Sequence, residues 1–173
     1  MPIMSIVLSQ PIRLLLIVFA LFSMAASAEK LPTPVDKVVV EKSSRKMRLY
    51  SGASELAVFP VSLGRSPAGA KECEGDNKTP EGVFRVLEHK RDSAYFLSLR
   101  LSYPEPVNVA SAAAKGCKPG SDVMIHGMRN GFGWLGRAHL WWDWTRGCIA
   151  VTNEEMTKIW ALVPDGAVVE IKP

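Results

Sequence analysis

Short apolar runs separated by turn residues make up most of the chain beyond residue 35. Runs of about four to eight residues that are continuously apolar, or that alternate apolar and polar positions, are typical of β-strands. Proline favours an edge strand or a bulge, because it has no N–H to give to a sheet, and Pro60 lies in the third run. Strands are predicted over 36–41, 46–50, 55–63, 82–88, 95–101, 123–125, 149–151 and 167–171.

Two segments have the signals of helices. Thr152 and Glu155 make a capping box at the start of a helix predicted over 153–163, whose apolar positions share one face. An alanine-rich helix is predicted over 107–115 and ends at Gly116. Many short strands with one or two short helices and no internal repeat predict one mainly β domain, a twisted β-sandwich or an open barrel.

The first 28 residues have a different pattern. Arg13 precedes an apolar run, and Ala26-Ser-Ala28 fits the small-x-small rule for signal-peptide cleavage. An uncleaved membrane anchor is the alternative, and in either case the domain is exported. Because cleavage near Ala28 is expected, the localisation predicted is periplasmic. The predicted organisation is a signal peptide at 1–28, a short leader at 29–35 and a folded domain at 36–173.

The charge of the exported part is mild. The whole chain has 21 basic and 17 acidic residues, and loss of the first 28 residues removes only Arg13, leaving a net charge of +3. The basic residues are scattered rather than clustered, and export argues against nucleic acid as a partner. A weak attraction to an anionic extracellular polymer is compatible with this balance.

One histidine and one cysteine stand at the ends of predicted strands. His126 follows the apolar run 123–125, and Cys148 follows Gly147 and precedes the run 149–151. Two such ends can present a base and a thiol to one cleft, and cysteine is the side chain whose reactivity gains most from a neighbouring imidazole. The N–H groups of Gly147 and Cys148 would then point at an oxyanion beside the sulfur. A thiol, a base and main-chain N–H donors in one cleft are the groups needed for acyl transfer through a thioester.

The residues around this pair indicate a function more specifically than the histidine and the cysteine do by themselves. A single cysteine is more often a small buried hydrophobe, and a single histidine a satisfied polar residue. Here Ile125-His-Gly127, a Trp-rich loop and then Thr145-Arg-Gly-Cys-Ile149 resemble the active-site motif of YkuD-type L,D-transpeptidases. Ser62-Leu-Gly64 through Gly75-Asp-Asn-Lys-Thr-Pro-Glu-Gly-Val-Phe84 resembles a second segment of that family. The resemblance covers about residues 36–171.

The resemblance implies a mainly β YkuD-like fold, no cofactor and no metal ion. It also implies an enzyme of peptidoglycan stem peptides, in which the cysteine attacks the carbonyl of the third residue and expels the terminal D-alanine. An amine of a second stem then takes the acyl group and forms a 3→3 cross-link. Some members of the family attach or remove a wall-linked lipoprotein, or only hydrolyse.

Site roles follow from the resemblance residue by residue. Cys148 becomes the nucleophile and His126 the general base, with the Gly127 carbonyl orienting the imidazole. The Gly147 and Cys148 amides become oxyanion donors, and hydrogen bonds from Thr145 steady the loop.

Two positions depart from the family pattern. Arg146 stands where the family often has histidine, and Ala150 where an arginine often follows the Cys-Ile pair. Arg146 still supplies positive charge for the thiolate or for a substrate carboxylate. The segment 145–153 resembles a sub-branch that includes proposed lipoprotein-releasing hydrolases. An L,D-hydrolase or amidase that trims stems or releases lipoprotein is therefore the alternative reaction.

The loop between the two motifs is rich in aromatic residues. Stacking of a sugar or a peptide on these rings and simple packing of the loop are equal alternatives. His139 is expected to be a bystander, Asp143 to pair with Arg137 or Arg146, and Lys78 to be a solvated lysine rather than a contact for a substrate carboxylate. The rings considered for substrate binding are Trp134, Trp142 and Trp144.

Three cysteines leave one over after any pair. If Cys148 is the free thiol, Cys73 and Cys117 are the candidate disulfide, with two free thiols as the alternative. A zinc hydrolase using His126, His139 and Cys148 is a rival enzyme, although the spacing matches no zinc pattern. A non-catalytic wall-binding module with the tryptophan loop as its surface is the third possibility.

Overall fold

The computed structural model describes residues 34–173, so the predicted signal peptide and nearly all of the leader lie outside the described residues. Within this range eight strands form one connected sheet in the order β3-β2-β1-β8-β4-β5-β6-β7. Neighbours are antiparallel except β1 with β8 and β6 with β7, which are parallel. The strands are β1 Lys37–Glu41, β2 Lys46–Ser51, β3 Ser54–Pro60, β4 Gly82–Ser93, β5 Phe96–Leu101, β6 Met124–His126, β7 Ile149–Ala150 and β8 Val168–Lys172.

The burial of each strand follows from its place in the sheet. β1 lies between β2 and β8, and its three valines 38–40 are all buried, with Val38 and Val40 facing the main apolar core. β3 is an edge strand, so Leu56 and Val58 are each 41% exposed. It ends at Pro60 rather than at residue 63, which confirms the expected edge position of this proline.

β4 joins the two halves of the sheet. Its first residues pair with β8, and its later residues pair with β5 across two register shifts, between Val86 and Glu88 and between Lys90 and Ser93. Bulges of this kind bend a strand and increase its twist. The sheet therefore turns along β4, which is longer than the predicted 82–88, and β5, β6 and β7 follow on the far side of this turn.

Two α-helices and one 3-10 segment accompany the sheet, α1 at Pro106–Ala114, α2 at Asn153–Leu162 and the 3-10 segment at Gly133–Trp141. The predicted capping box of α2 is confirmed, with Thr152 Oγ1 accepting from the Glu155 N–H at 3.2 Å and Glu155 Oε2 accepting from the Thr152 N–H at 3.0 Å. The prediction of a mainly β domain with short helices is confirmed. The 3-10 segment, inside the aromatic loop, was not predicted.

A single apolar cluster holds the domain together. It combines side chains from β1, β2, β4, β5 and β8 with Met156 and Ile159 of α2. Ile125 of β6 and Ile149 of β7 belong to the same cluster and are fully buried. Burial of this kind stabilises by about 25 cal/mol per Å² of apolar surface, so these two isoleucines fix the strand ends that precede and follow them. No helix within residues 34–173 is long and apolar enough to cross a bilayer.

Candidate active site

Strand register places the histidine and the cysteine on one face of the sheet. β6 and β7 run parallel, with Ile125 opposite Ile149. Side chains alternate along a strand, so His126 points away from the core that receives Ile125. Cys148 stands one residue before Ile149 and, by the same alternation, points to that side as well.

That face forms one wall of a cleft of about 1000 Å³. The cleft also contains residues that the sequence did not single out, among them Arg65, Tyr95 and Asp122. The sequence predicts Tyr95 only as part of a strand, and no sequence signal connects it with the site. The predicted site residues that line the cleft are His126, Trp142, Trp144, Thr145, Arg146 and Cys148.

His126 is a buried, neutral base. Its Nδ1 lies 2.6 Å from the Gly127 carbonyl oxygen, which only accepts hydrogen bonds, so the proton is on Nδ1 and Nε2 carries the free lone pair. The imidazole is 4% exposed. Burial lowers the pKa of His126 to about 4, although the bond to Gly127 opposes this shift, and nearby His139 lowers the pKa further.

Cys148 is a free, partly exposed thiol. Burial raises the pKa of the Cys148 thiol, and the Met124 backbone N–H acts in the opposite direction by favouring the thiolate. The Sγ atom lies 3.8 Å from the Asp122 carbonyl oxygen, to which the thiol donates. The resting site therefore holds a thiol and a neutral imidazole rather than a preformed ion pair. Within residues 34–173 no hydrogen bond joins the Cys148 thiol to the His126 imidazole.

Hydrogen bonds from Thr145 hold the turn that carries the thiol. Its Oγ1 donates to the Cys148 carbonyl at 2.8 Å and accepts from the Gly147 N–H at 3.0 Å. The Gly147 amide, expected to be an oxyanion donor, is thus engaged within the turn. The Cys148 N–H has no hydrogen-bond acceptor among residues 34–173, so it is the main-chain donor left for an oxyanion.

Gly147 is required by its backbone geometry. Its φ is +138°, and a Cβ built there would lie 2.7 Å from the Lys78 carbonyl oxygen. Lys78 therefore contacts the turn through its main chain, and its side chain does not line the cleft. The turn and the segment around residue 78 pack so closely that only a glycine fits.

The aromatic rings of the loop divide between the cleft and the surface. Trp144 lies in the cleft, where its Nε1 donates to His139 Nδ1 at 3.2 Å. Trp142 lines the cleft and is 53% exposed. Trp134 is 79% exposed and does not line the cleft, and its assignment to substrate binding stays a prediction.

Asp143 has a different partner from those expected. It pairs with Arg45 at 2.8 Å and accepts from the Leu63 N–H at 2.9 Å, and it does not meet Arg137 or Arg146. The carboxylate therefore ties the loop to the chain just beyond β3. His139, expected to be a bystander, is a buried part of the cleft wall.

A disulfide joins Cys73 and Cys117, whose Cα atoms are 5.8 Å apart. It secures a loop in which Lys71 pairs with Asp76 at 2.7 Å. Burial alone would raise the pKa of Asp76, but the bond from Lys71 and three backbone N–H groups lower it to about 2. Across residues 34–173, no group of three His, Cys, Asp or Glu side chains is arranged to hold a metal ion.

Solved structures share this fold at low sequence identity. They include the helical cell shape determining protein Pgp2 from Campylobacter jejuni, at 24% identity and a TM-score of 0.62 over 80% of this chain and 48% of that chain. Bd1075 from Bdellovibrio bacteriovorus matches at 20% identity and a TM-score of 0.55, over 82% and 52%. An L,D-transpeptidase from Mycobacterium smegmatis matches at 13% identity and a TM-score of 0.54, over 80% and 59%. The chain thus spans only about half to three fifths of their lengths.

The family of the chain is shown by its match to a protein-family model. No match was found among curated protein sequences. The family model for the YkuD L,D-transpeptidase catalytic domain matches residues 36–171, nearly the whole described range. The chain therefore belongs to the YkuD family of L,D-transpeptidase catalytic domains.

Proposed function

We propose that this protein is an exported cysteine acyltransferase that cross-links peptidoglycan stem peptides through a thioester on Cys148. The observation that carries the proposal is the meeting of a free thiol and a buried, unprotonated imidazole in one cleft, delivered by adjacent strand ends. Membership of a family that acts on peptidoglycan supports the substrate class. The Thr-x-Gly-Cys-Ile-Ala segment supports placement in the sub-branch inferred from the sequence.

Acylation begins with attack of Sγ of Cys148 on the carbonyl carbon of the third stem residue. His126 Nε2 takes the thiol proton as the carbon–sulfur bond forms, which a base with a lowered pKa can do because it is unprotonated at neutral pH. The carbonyl oxygen becomes an oxyanion, and the Cys148 N–H is the donor available to it. Collapse breaks the carbon–nitrogen bond, and His126 returns the proton to the leaving amine of D-alanine.

In deacylation the sulfur is the leaving group and an amine is the nucleophile. An amine of a second stem attacks the thioester, His126 accepts a proton from that amine, and the proton returns to the departing sulfur. Arg146, exposed at the cleft wall, supplies charge for a stem carboxylate, and Arg65 lies on the same wall. The Arg65 guanidinium also donates through Nε to the Trp144 carbonyl at 3.2 Å, so it is held next to the cleft.

Hydrolysis is the second candidate and shares the first half of the reaction. Water then replaces the amine, so the products are trimmed stems or a released lipoprotein peptide. Ala150, buried where the family often has an arginine, is the feature that favours this outcome, because an acceptor or D-alanine contact is absent there.

Purified protein incubated with disaccharide-tetrapeptide and analysed by mass spectrometry tests the proposal. We expect free D-alanine and a 3→3 dimer, and we expect Cys148→Ala to abolish both while still binding the cell wall. Trimmed stems without dimer would establish hydrolysis instead. Turnover that survives in Cys148→Ala would refute thiol catalysis, and turnover lost with a chelator would favour a metal enzyme.

Acylation of the thiol by a carbapenem gives an independent test. A β-lactam carbonyl is an electrophile that traps an activated thiol as a stable thioester. We expect a mass increase on the peptide that contains Cys148 and none on the disulfide-linked peptides. An unmodified Cys148 peptide after prolonged exposure would contradict the assignment.

Export is part of the proposal and has its own test. If residues 1–28 are a cleaved signal peptide, the protein recovered from the periplasm begins at Glu29. Recovery of an intact N-terminus in the membrane fraction would favour the anchor.

A further inference from the structure

His139 is fixed at both its main chain and its side chain. Its carbonyl oxygen accepts from Ser62 Oγ at 3.0 Å, and its ring Nδ1 accepts from the indole N–H of Trp144 at 3.2 Å. The ring is 1% exposed and forms part of the cleft wall. Because Nδ1 is an acceptor here, the proton of the neutral ring is on Nε2.

That Nε2 is buried and has no hydrogen-bond partner among the described residues. Leaving a buried N–H unpaired is unfavourable, and an apolar side chain of similar size would avoid the penalty. Burial lowers the pKa of His139, and the Glu155 carboxylate, which is paired with Arg137 at 3.0 Å, opposes that shift. The ring therefore stays neutral and keeps its Nδ1 lone pair for the indole. Packing alone does not explain a histidine at this position.

Trp144 connects His139 to the catalytic base. Its ring centroid lies 6.0 Å from that of His139 and 5.8 Å from that of His126, in both cases edge to face. The Tyr95 ring also contacts the His126 imidazole, with 4.6 Å between the ring centroids. It stacks on the Trp144 indole, with 6.2 Å between the ring centroids. The His126 imidazole thus contacts two aromatic rings that also stack on each other, and the hydrogen bond to His139 selects one orientation of the indole.

We propose that His139 is a positioning residue for the base, which acts through Trp144 to hold the His126 imidazole with Nδ1 on Gly127 and Nε2 free for the thiol. This inference rests on the proposed function of His126 and extends it to a residue whose hydrogen bonds go to Ser62 and Trp144 rather than to His126 or Cys148. Small displacements of a catalytic group lower rates strongly, so the indole contact has a direct kinetic consequence.

Alkylation of Cys148 by iodoacetamide measures this effect without any peptidoglycan substrate. We expect His139→Leu to slow alkylation at neutral pH by about tenfold, because the indole loses its acceptor and the base loses its support. His139→Asn keeps an acceptor near the Nδ1 position and should recover most of the rate. Trp144→Phe removes the same hydrogen bond from the other side and should resemble His139→Leu.

Two further measurements separate positioning from simple structural support. The thermal midpoint of His139→Leu should stay close to that of the wild type, because the substitution also removes the unpaired N–H. In a His126→Asn background, His139→Leu should have no additional effect on alkylation.

An additive loss in the double variant, or a rate in His139→Asn as low as in His139→Leu, would overturn the proposal. A parallel fall of rate and thermal midpoint would overturn it too, since that result indicates a merely structural residue. Failure of the proposed function is recognised separately, as wild-type protein that alkylates normally but gives no peptidoglycan product.

Discussion

Acidification should destabilise the folded protein through His126. Burial lowers the pKa of this group to about 4 from 6.5, so the folded state resists a proton that the unfolded chain accepts. The stability is fully present above about pH 6.5 and is lost as the pH falls towards 4. Linkage over this interval gives a loss of about 2 kcal/mol by about pH 5 and about 3 kcal/mol at the acidic limit.

Urea unfolding followed by tryptophan fluorescence at about pH 7 and about pH 5 measures this loss. The comparison is between wild type and His126→Asn, which cannot titrate, so the contribution of His139 is present in both proteins and cancels. The Asp76 carboxyl, with a pKa of about 2, titrates below this interval. The free energy of unfolding of the wild type should fall by about 2 kcal/mol more than that of the variant.

Cys148→Ala is the matched control, because it removes the proposed activity but keeps the buried imidazole. It should show the wild-type dependence on pH. An equal fall in wild type and His126→Asn would refute the reasoning, because the imidazole would then be equally basic in the folded and unfolded states.

Three further predictions concern the turn and the disulfide. Gly147→Ala should lower the free energy of unfolding in urea by more than about 2 kcal/mol, because φ is +138° and a carbonyl lies 2.7 Å from the new Cβ. Gly131→Ala, with φ +86° and no neighbour within 4 Å, should cost only about 1 kcal/mol, and equal costs would contradict the clash. Thr145→Val should slow D-alanine release by about tenfold, with recovery in Thr145→Ser, and failure of serine to restore the rate would argue against the hydroxyl. Replacing Cys73 and Cys117 by serine should lower stability by about 4 kcal/mol from the closed loop of 44 residues, and an unchanged thermal midpoint would show that the bridge adds nothing.

Local patterns were sufficient for most of the fold. The strands were predicted from alternation and apolar runs, and the cap of α2 from Thr152 and Glu155, because these signals act over a few neighbouring residues. The position of the base and the thiol at strand ends was also readable, since each adjoins a run that has to be buried. The ends of β3 and β4 differ from the predicted ends, because edge pairing and bulges depend on strands far away in the chain.

The sequence by itself determined the eight strands and the two α-helices, which residues bear reactive groups, and that the histidine and the cysteine stand at strand ends. Only the tertiary structure decided what surrounds them. The partner of Asp143 is Arg45, 98 residues earlier, and the acceptor for Trp144 is His139. The Gly147 N–H donates to Thr145 Oγ1 within the turn rather than pointing into the cleft. Such contacts depend on the path of an irregular loop across distant strands, and no residue pattern within the loop encodes which groups it will meet there.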